Sequence, residues 1–421
     1  MTPTSKFWES VQVPFGSAMW FPLFPALRAR KTHCSRHTVS KRSRAMREVY
    51  ISGVGMTPFV SKTTTLPHVQ GGQALNAALE DSGLDWAEIG LLVVGAVGTG
   101  MSSAPLVLHE MAWTGIPAVA VENASATGTA AFEQARAAVA SGQVETAAVV
   151  GIGSLGALLM SRAAEGERAP DLISVSGMAV PAVPFALMKQ ARMHRHGESA
   201  DTSLLVVEKN LFNASRNPMA QRNKALTMDE LKAAPMLVDP LRRVESCPIG
   251  DGAAAVVITS RRLANVSRVV RVAAAVAETD KWHGAAAFMP DLGVTKRVSA
   301  RAYEQADIRP DSVDVVEVHE AFSVEELQYI EDLGLAAEGK ASFAMADGDF
   351  HIGGRVAVSP SGGLIGRGHP GGATGLSQFV EITQQIRGQS GVRQHDGARV
   401  GFAQMIGAGG VSYAHILVGE D

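Results

Sequence analysis

Ala78-Leu-Glu-Asp-Ser-Gly-Leu-Asp-Trp-Ala-Glu-Ile-Gly-Leu-Leu-Val-Val94 is echoed further along the chain by Ala302-Tyr-Glu-Gln-Ala-Asp-Ile-Arg-Pro-Asp-Ser-Val-Asp-Val-Val-Glu-Val318. Each stretch reads as the end of an Ala-containing helix, a turn built on Gly or Asp and Pro, and a β-branched strand. A second pair repeats in the same order, Ala126-Thr-Gly128 and Ala373-Thr-Gly375, each opening an Ala- or Leu-containing helix. Two matches in the same order, at offsets of 224 and 247 residues, point to duplicated halves rather than to shared α/β grammar alone.

The rest of the body fits an α/β protein with buried sheets. Strands read at Leu91–Gly95, Ala147–Gly151, Ala254–Ile258, Val313–Val318 and Arg399–Ala403, and helices at Gln73–Ser82, Gly128–Ser141, Val298–Ala306 and Gly375–Arg387. Between the strands of the first half, about 154–240 is less regular, with a helical signal at Phe185–His196 and mixed charge from Glu208 to Leu237. It reads as an insertion over the first half, of the kind that carries substrate contacts.

Composition excludes several classes. The chain has 421 residues, 46% of them hydrophobic, which suits two or three packed units and rules out a small stapled or disordered protein. Its two cysteines, Cys34 and Cys247, have no metal-ligand spacing, so neither zinc nor a disulfide framework is expected, and a reducing compartment fits. Residues 1–45 hold eight Lys/Arg against one acid, whereas the remainder holds 30 basic against 40 acidic residues, so nucleic acid is not an expected partner. No uncharged apolar run is long enough for a transmembrane helix. The first 45 residues lack sustained periodicity and carry Pro14, Pro22 and Pro25. We expect an extension outside the fold, disordered or not made, with an organellar transit peptide as the other reading. Met46-Arg-Glu-Val-Tyr-Ile-Ser-Gly-Val-Gly55 is a natural first strand and turn.

Three segments can carry chemistry. In Val121-Glu-Asn-Ala-Ser-Ala-Thr-Gly-Thr-Ala130, Ser125 falls at a helix N-terminus, where free N–H groups favour developing negative charge. In Val318-His-Glu-Ala-Phe-Ser323, His319 and Glu320 follow a β run, and a histidine there can donate to an oxyanion. In Ser359-Pro-Ser-Gly-Gly-Leu-Ile-Gly-Arg-Gly-His-Pro-Gly-Gly-Ala-Thr-Gly375, seven glycines allow close backbone approach, and His369 is pinned between Gly368 and Pro370 as a base. Serine is also an ordinary N-cap and a histidine after a strand is often a surface residue, and spacing alone does not separate these readings. A phosphate loop is disfavoured because GxxxxGK[ST] is absent.

In this order the three segments resemble the thiolase family, over nearly all of residues 48–419. Gly366-Arg-Gly-His-Pro-Gly-Gly-Ala-Thr-Gly375 is similar to its Gly-His-Pro block, His319-Glu-Ala-Phe322 to its Asn/His-Glu-Ala-Phe block, and Cys247-Pro-Ile-Gly-Asp-Gly-Ala-Ala-Ala255 to its glycine–alanine strand. Asn217-Pro, Val238-Asp-Pro-Leu and Asp347-Gly with Gly353-Gly-Arg resemble the sterol-carrier-protein-x branch. The resemblance implies two βαβαβαββ halves in a five-layer αβαβα sandwich, here 46–262 with the loop-domain insertion at about 154–240, and 266–421. It implies a homodimer, with a small accessory subunit as a further possible partner, and carbon–carbon or acyl-transfer chemistry on a coenzyme A thioester, with no metal and no other cofactor. Cys247, Asn217, Met193, Gly363 and Gly407 are then candidate substrate or coenzyme contacts.

The departures are as informative. Ser125 stands where the family has its nucleophilic cysteine, Met405 stands at the place of the second, acid/base cysteine, and Ala321 occupies the alternative place for that second cysteine. Cys34 and Cys247 fall in neither place, so a two-cysteine mechanism is not available. A Ser125–His369 dyad with His319 as oxyanion donor is the expected replacement, and Glu320 is a possible acid/base. The alternative is a non-catalytic acyl-coenzyme A or lipid carrier, or a scaffold subunit. The C-terminal Val-Gly-Glu-Asp421 is not a peroxisomal address, so a cytoplasmic location is expected.

Overall fold

The computed structural model describes residues 46–154, 182–263, 268–280, 293–407 and 410–421. The extension 1–45 and the insertion's 155–181 lie outside the described residues. In chain order the strands are β1 (Tyr50–Met56), β2 (Leu92–Val97), β3 (Ala118–Val121), β4 (Thr146–Ser154), β5 (Met236–Val238), β6 (Leu241–Arg242), β7 (Asp251–Thr259), β8 (Val269–Thr279), β9 (Val315–Glu317), β10 (Ala357–Val358), β11 (Val400–Gly407) and β12 (Val411–Glu420).

Duplication is visible in the topology. One ten-stranded sheet runs β10-β9-β11-β12-β8-β1-β7-β4-β2-β3 and divides into two five-stranded halves of identical design. In each half the second strand pairs in parallel with the third and fourth, while the fifth runs antiparallel to both the fourth and the first. The halves join where β1 meets β8, at Tyr50↔Arg271 and Ile51↔Val270. The sequence echo at 224 residues corresponds to real structure: helix Pro67–Ser82, a 3-10 turn and β2 in one half; helix Gly293–Ala306, a 3-10 turn and β9 in the other.

Both faces of each five-stranded half are covered, which explains why the central strands are apolar without alternation. Along β4, Ala148, Val150 and Ile152 pack on the outer helix Pro67–Ser82 through Ala74, Leu75 and Ala78. Ala147 and Val149 face the other way, into a core shared with Val315, Ala403 and Leu417 of the second sheet. Helices Thr127–Ser141 and Thr374–Arg387 lie in that middle layer, with Phe132 and Phe379 stacked 4.1 Å apart. Val294, Val298 and Ala302 of helix Gly293–Ala306 cover the outer face of the second sheet. The result is the expected thiolase-like α/β sandwich of five layers.

The two middle helices cross at their first turns, where glycine is required. A Cβ on Gly128 would stand 2.5 Å from the carbonyl oxygen of Gly372, and one on Gly375 would stand 2.1 Å from Thr129 Oγ1. Gly128→Ala is therefore expected to destabilise by about 1–3 kcal/mol, through overpacking against backbone that cannot yield. A urea denaturation midpoint checks it; an unchanged midpoint would remove the crossing from this account.

The described part of the insertion consists of helices Ala182–His196, Leu204–Ala214 and Met228–Lys232 and a β5–β6 ribbon that straddles residue 240. Its helices share a core with the second half, while the Met219 carbonyl accepts the Phe59 N–H of the first half at 2.9 Å and Lys189 pairs with Glu245. Met188, Val207 and Leu211 share a core with Val316, Tyr329 and Ile365. Arg192 bonds Glu331 at 2.8 Å, and the buried Lys209 pairs with Glu326 at 3.0 Å. The helical signals of 182–214 indicate amphipathic faces but carry no information on which half they cover. Among the described residues no helix is long and apolar enough to cross a membrane.

Candidate functional site

At the C-terminal end of β3 the chain turns through Asn123–Ala126 into helix Thr127–Ser141. Ala124 is held at φ +47°, a strained conformation for a residue with a side chain, and Thr127 Oγ1 braces the turn by accepting from the Asn123 N–H and donating to the Ala124 carbonyl, both at 2.7 Å. This strain projects the next residue, Ser125, which is partly exposed while Ala126 behind it is buried. Met405, at the end of β11, is buried against Ala126 and Ala130. Beside it Gly407 packs under the same turn, where a Cβ would meet Asn123 O at 3.1 Å.

His369 arrives from the other half. Its Nε2 lies 3.1 Å from Ser125 Oγ, and its Nδ1 lies 2.7 Å from Thr374 Oγ1. Thr374 has one hydroxyl proton and donates it to the Pro370 carbonyl at 2.7 Å, so the ring nitrogen facing it must be the donor. That leaves the lone pair of Nε2 to accept the Ser125 hydroxyl proton, the arrangement of a base beside a nucleophile. Thr374, whose hydroxyl holds the His369 ring in this orientation, was missed by sequence reasoning. The signal was in the Ala-Thr-Gly echo: Thr127 and Thr374 take equivalent places, each bracing the turn before its helix.

His319 follows β9, with its ring centroid 5.1 Å from that of His369 and the two rings edge-on. Gln404 Oε1 accepts its backbone N–H at 2.9 Å, yet neither of its ring nitrogens has a partner among the described residues, although the residue is only 5% exposed. Burial pushes the His319 imidazole down to about 4, and the Arg367 charge adds to the shift. Burial likewise holds His369 well below the usual histidine range, with His319 and Arg367 adding to the effect. Both rings are therefore neutral near pH 7, His369 able to accept a proton and His319 carrying one unused N–H donor.

The remaining sequence candidates divide. Glu320 is fully buried; its Oε1 accepts from Asn210 Nδ2 at 3.1 Å and from the Ile365 N–H at 3.4 Å. Burial and the neighbouring Glu326 charge push its pKa well above the carboxylate range. Gly363 makes room for it, since a Cβ there would stand 1.8 Å from Glu320 Oε1. Cys247 donates its backbone N–H to the Ala321 carbonyl at 2.8 Å, beside the alternative cysteine position. Its thiol is pushed up to about 12 by burial, with Glu320 and Glu325 adding, so it is not a thiolate at neutral pH. Asn217 is buried with its amide committed to the Ser361 carbonyl and the Met219 N–H, and it lines a cavity whose walls include neither Ser125 nor His369. Met193 is half-buried on helix Ala182–His196, and no contact among the described residues brings it to that pair. No group of three or more His, Cys, Asp or Glu among the described residues is placed to hold a metal ion.

The chain is similar to known proteins along most of its length. Residues 278–420 match the family model described as Thiolase C-terminal domain-like. An acetyl-CoA acetyltransferase of Methanothermobacter thermautotrophicus is 31% identical, over 88% of this chain and 100% of the relative. Sterol carrier protein 2 of Oryctolagus cuniculus is 32% identical, over 86% of this chain and 70% of the relative. Among solved structures, one described as the Ltp2-ChsH2(DUF35) aldolase superposes with a TM-score of 0.74 at 21% identity, covering 88% of this chain and 97% of that one.

Proposed function

The chain belongs to the thiolase family, and from that premise we propose that it transfers the acyl group of an acyl-coenzyme A thioester through Ser125. The observation that carries this reading is the 3.1 Å contact between Ser125 Oγ and His369 Nε2, with Nδ1 committed to Thr374. In the proposed step His369 Nε2 takes the hydroxyl proton as Ser125 Oγ bonds to the thioester carbonyl carbon. The unused His319 N–H and the N-terminus of helix Thr127–Ser141 receive the oxyanion. Collapse breaks the carbon–sulfur bond, His369 returns its proton to the departing coenzyme A thiolate, and the acyl group remains as an ester on Ser125. An acceptor then reverses the sequence.

A second reading is favoured by Met405 and Ala321, which leave both family positions for the second cysteine without a proton donor, and by the fold's likeness to an aldolase. There His369 takes the β-hydroxyl proton of a β-hydroxyacyl thioester, the Cα–Cβ bond breaks to release a carbonyl compound, and His319 stabilises the thioester enolate. The proton held on His369 returns to the α-carbon. Ser125→Ala separates the two. Acyl transfer is expected to fall at least 10²-fold by loss of the covalent step, whereas β-hydroxyacyl cleavage is expected to persist. Equal acyl transfer in wild type and Ser125→Ala, assayed by coenzyme A release, would sink the covalent reading.

The assembly we infer is a homodimer through β3. This strand is one of the two ends of the ten-stranded sheet among the described residues, and its Val119 is 47% exposed, as is Trp113 at 65%. A small accessory subunit is supported by the aldolase likeness, whose description names a DUF35 component.

A further inference from the structure

We propose that a cavity lined by Arg367, Arg393, Ser390, Asn217, Gln384 and the Arg393-paired Glu381 binds a small molecule through a carboxylate or phosphate group. Its volume is about 310 Å³, and Ser125, His319 and His369 are not among its lining residues.

The argument rests on donors without acceptors. Arg367 is 1% exposed, and its Nη1 serves Glu317 at 3.0 Å and Ser361 Oγ at 2.9 Å, yet its Nε and Nη2 have no partner among the described residues. Arg393 is 7% exposed, with Nη2 bonded to Glu381 at 2.7 Å and Nε unpartnered. Ser390 Oγ, also buried, is unpartnered as well. Buried charged donors are rarely left unmatched, and a guanidinium edge suits the paired oxygens of an oxyanion. Each arginine already faces one glutamate, so the charge is near balance. What is missing is one further acceptor group, which a single carboxylate or phosphate supplies and an apolar ligand does not.

Occupancy would be felt at the neighbouring site. The Arg367 charge helps hold both His319 and His369 neutral, so an anion against that guanidinium raises the proton affinity of the two rings.

Calorimetry on the full chain tests the proposal, with inorganic phosphate and succinate titrated separately. Saturable one-to-one binding of at least one probe is expected, and the one that binds distinguishes the phosphate from the carboxylate source. Truncating Arg367 risks unfolding the chain, so the informative variant is Gln384→Glu at the half-exposed mouth, which places a carboxylate in the cavity and is expected to weaken binding about tenfold or more. Saturable binding that Gln384→Glu weakens supports the site. No saturable heat with either probe, or equal affinity in Gln384→Glu, overturns it. Because binding is read without turnover, the result does not depend on acyl transfer by Ser125.

Discussion

Replacing His369 with alanine is expected to lower kcat/KM for acyl-coenzyme A turnover by about 10²–10⁴-fold, the range over which a positioned base contributes. The side chain is the only one whose nitrogen approaches Ser125 Oγ among the described residues, and without it the hydroxyl keeps its proton. Thr374→Val should fall less, roughly 10- to 100-fold, because it removes only the acceptor that orients the Nδ1 proton. The pH profile gives an independent reading. The neutral ring is the active base, so activity is lost as pH falls through its folded pKa. Burial holds that pKa below the ordinary value of about 6.5, and the acidic limb should accordingly lie lower than a solvent-exposed histidine would give. An acidic limb at the ordinary histidine value would show that His369 is not the titrating base.

Lys209→Met is expected to cost about 3–5 kcal/mol of folding free energy, because it leaves the fully buried Glu326 without its cation. Lys209 Nζ also donates to Asn210 Oδ1 at 2.5 Å and to the Val358 carbonyl at 2.6 Å, and both acceptors lose a charged donor. Asn210 Nδ2 bridges Glu326 and Glu320, and Glu320 in turn holds the Ile365 N–H just before the His369 segment. The loss should therefore reach turnover as well as stability. Adding Glu326→Gln removes the stranded charge while keeping the oxygen that accepts from Asn210 or Ser359. The double variant should recover most of the stability in a urea denaturation cycle. A double variant as unstable as the single would show that the cost lies in packing and not in charge.

The layered fold was legible because its signals are local. Ala147–Gly151 and Ala254–Ile258 are apolar on both faces, which marks a sheet covered on two sides, and the repeated helix–turn–strand units mark the duplication. Ser125, His319 and His369 stood out for similar reasons, each at a strand-to-helix or glycine-rich joint. What sequence could not supply was long-range. The Lys209–Glu326 and Arg192–Glu331 pairs join residues far apart in the chain with no periodic signature, and such pairs seat the insertion's helices on the second half. The tautomer of His369 was equally hidden, since it depends on which acceptor claims the single proton of Thr374. Glu320 looked like an acid/base from its place after a strand, but its burial and the neighbouring Glu326 charge, neither legible in sequence, push its pKa well above the carboxylate range.

The most direct test of the central claim is intact-protein and peptide mass spectrometry after incubation with an acyl-coenzyme A, quenched in acid. The account predicts one added acyl mass, mapped to the peptide containing Ser125 and absent in His369→Ala. An unmodified Ser125 in protein that binds the thioester and turns it over would contradict it.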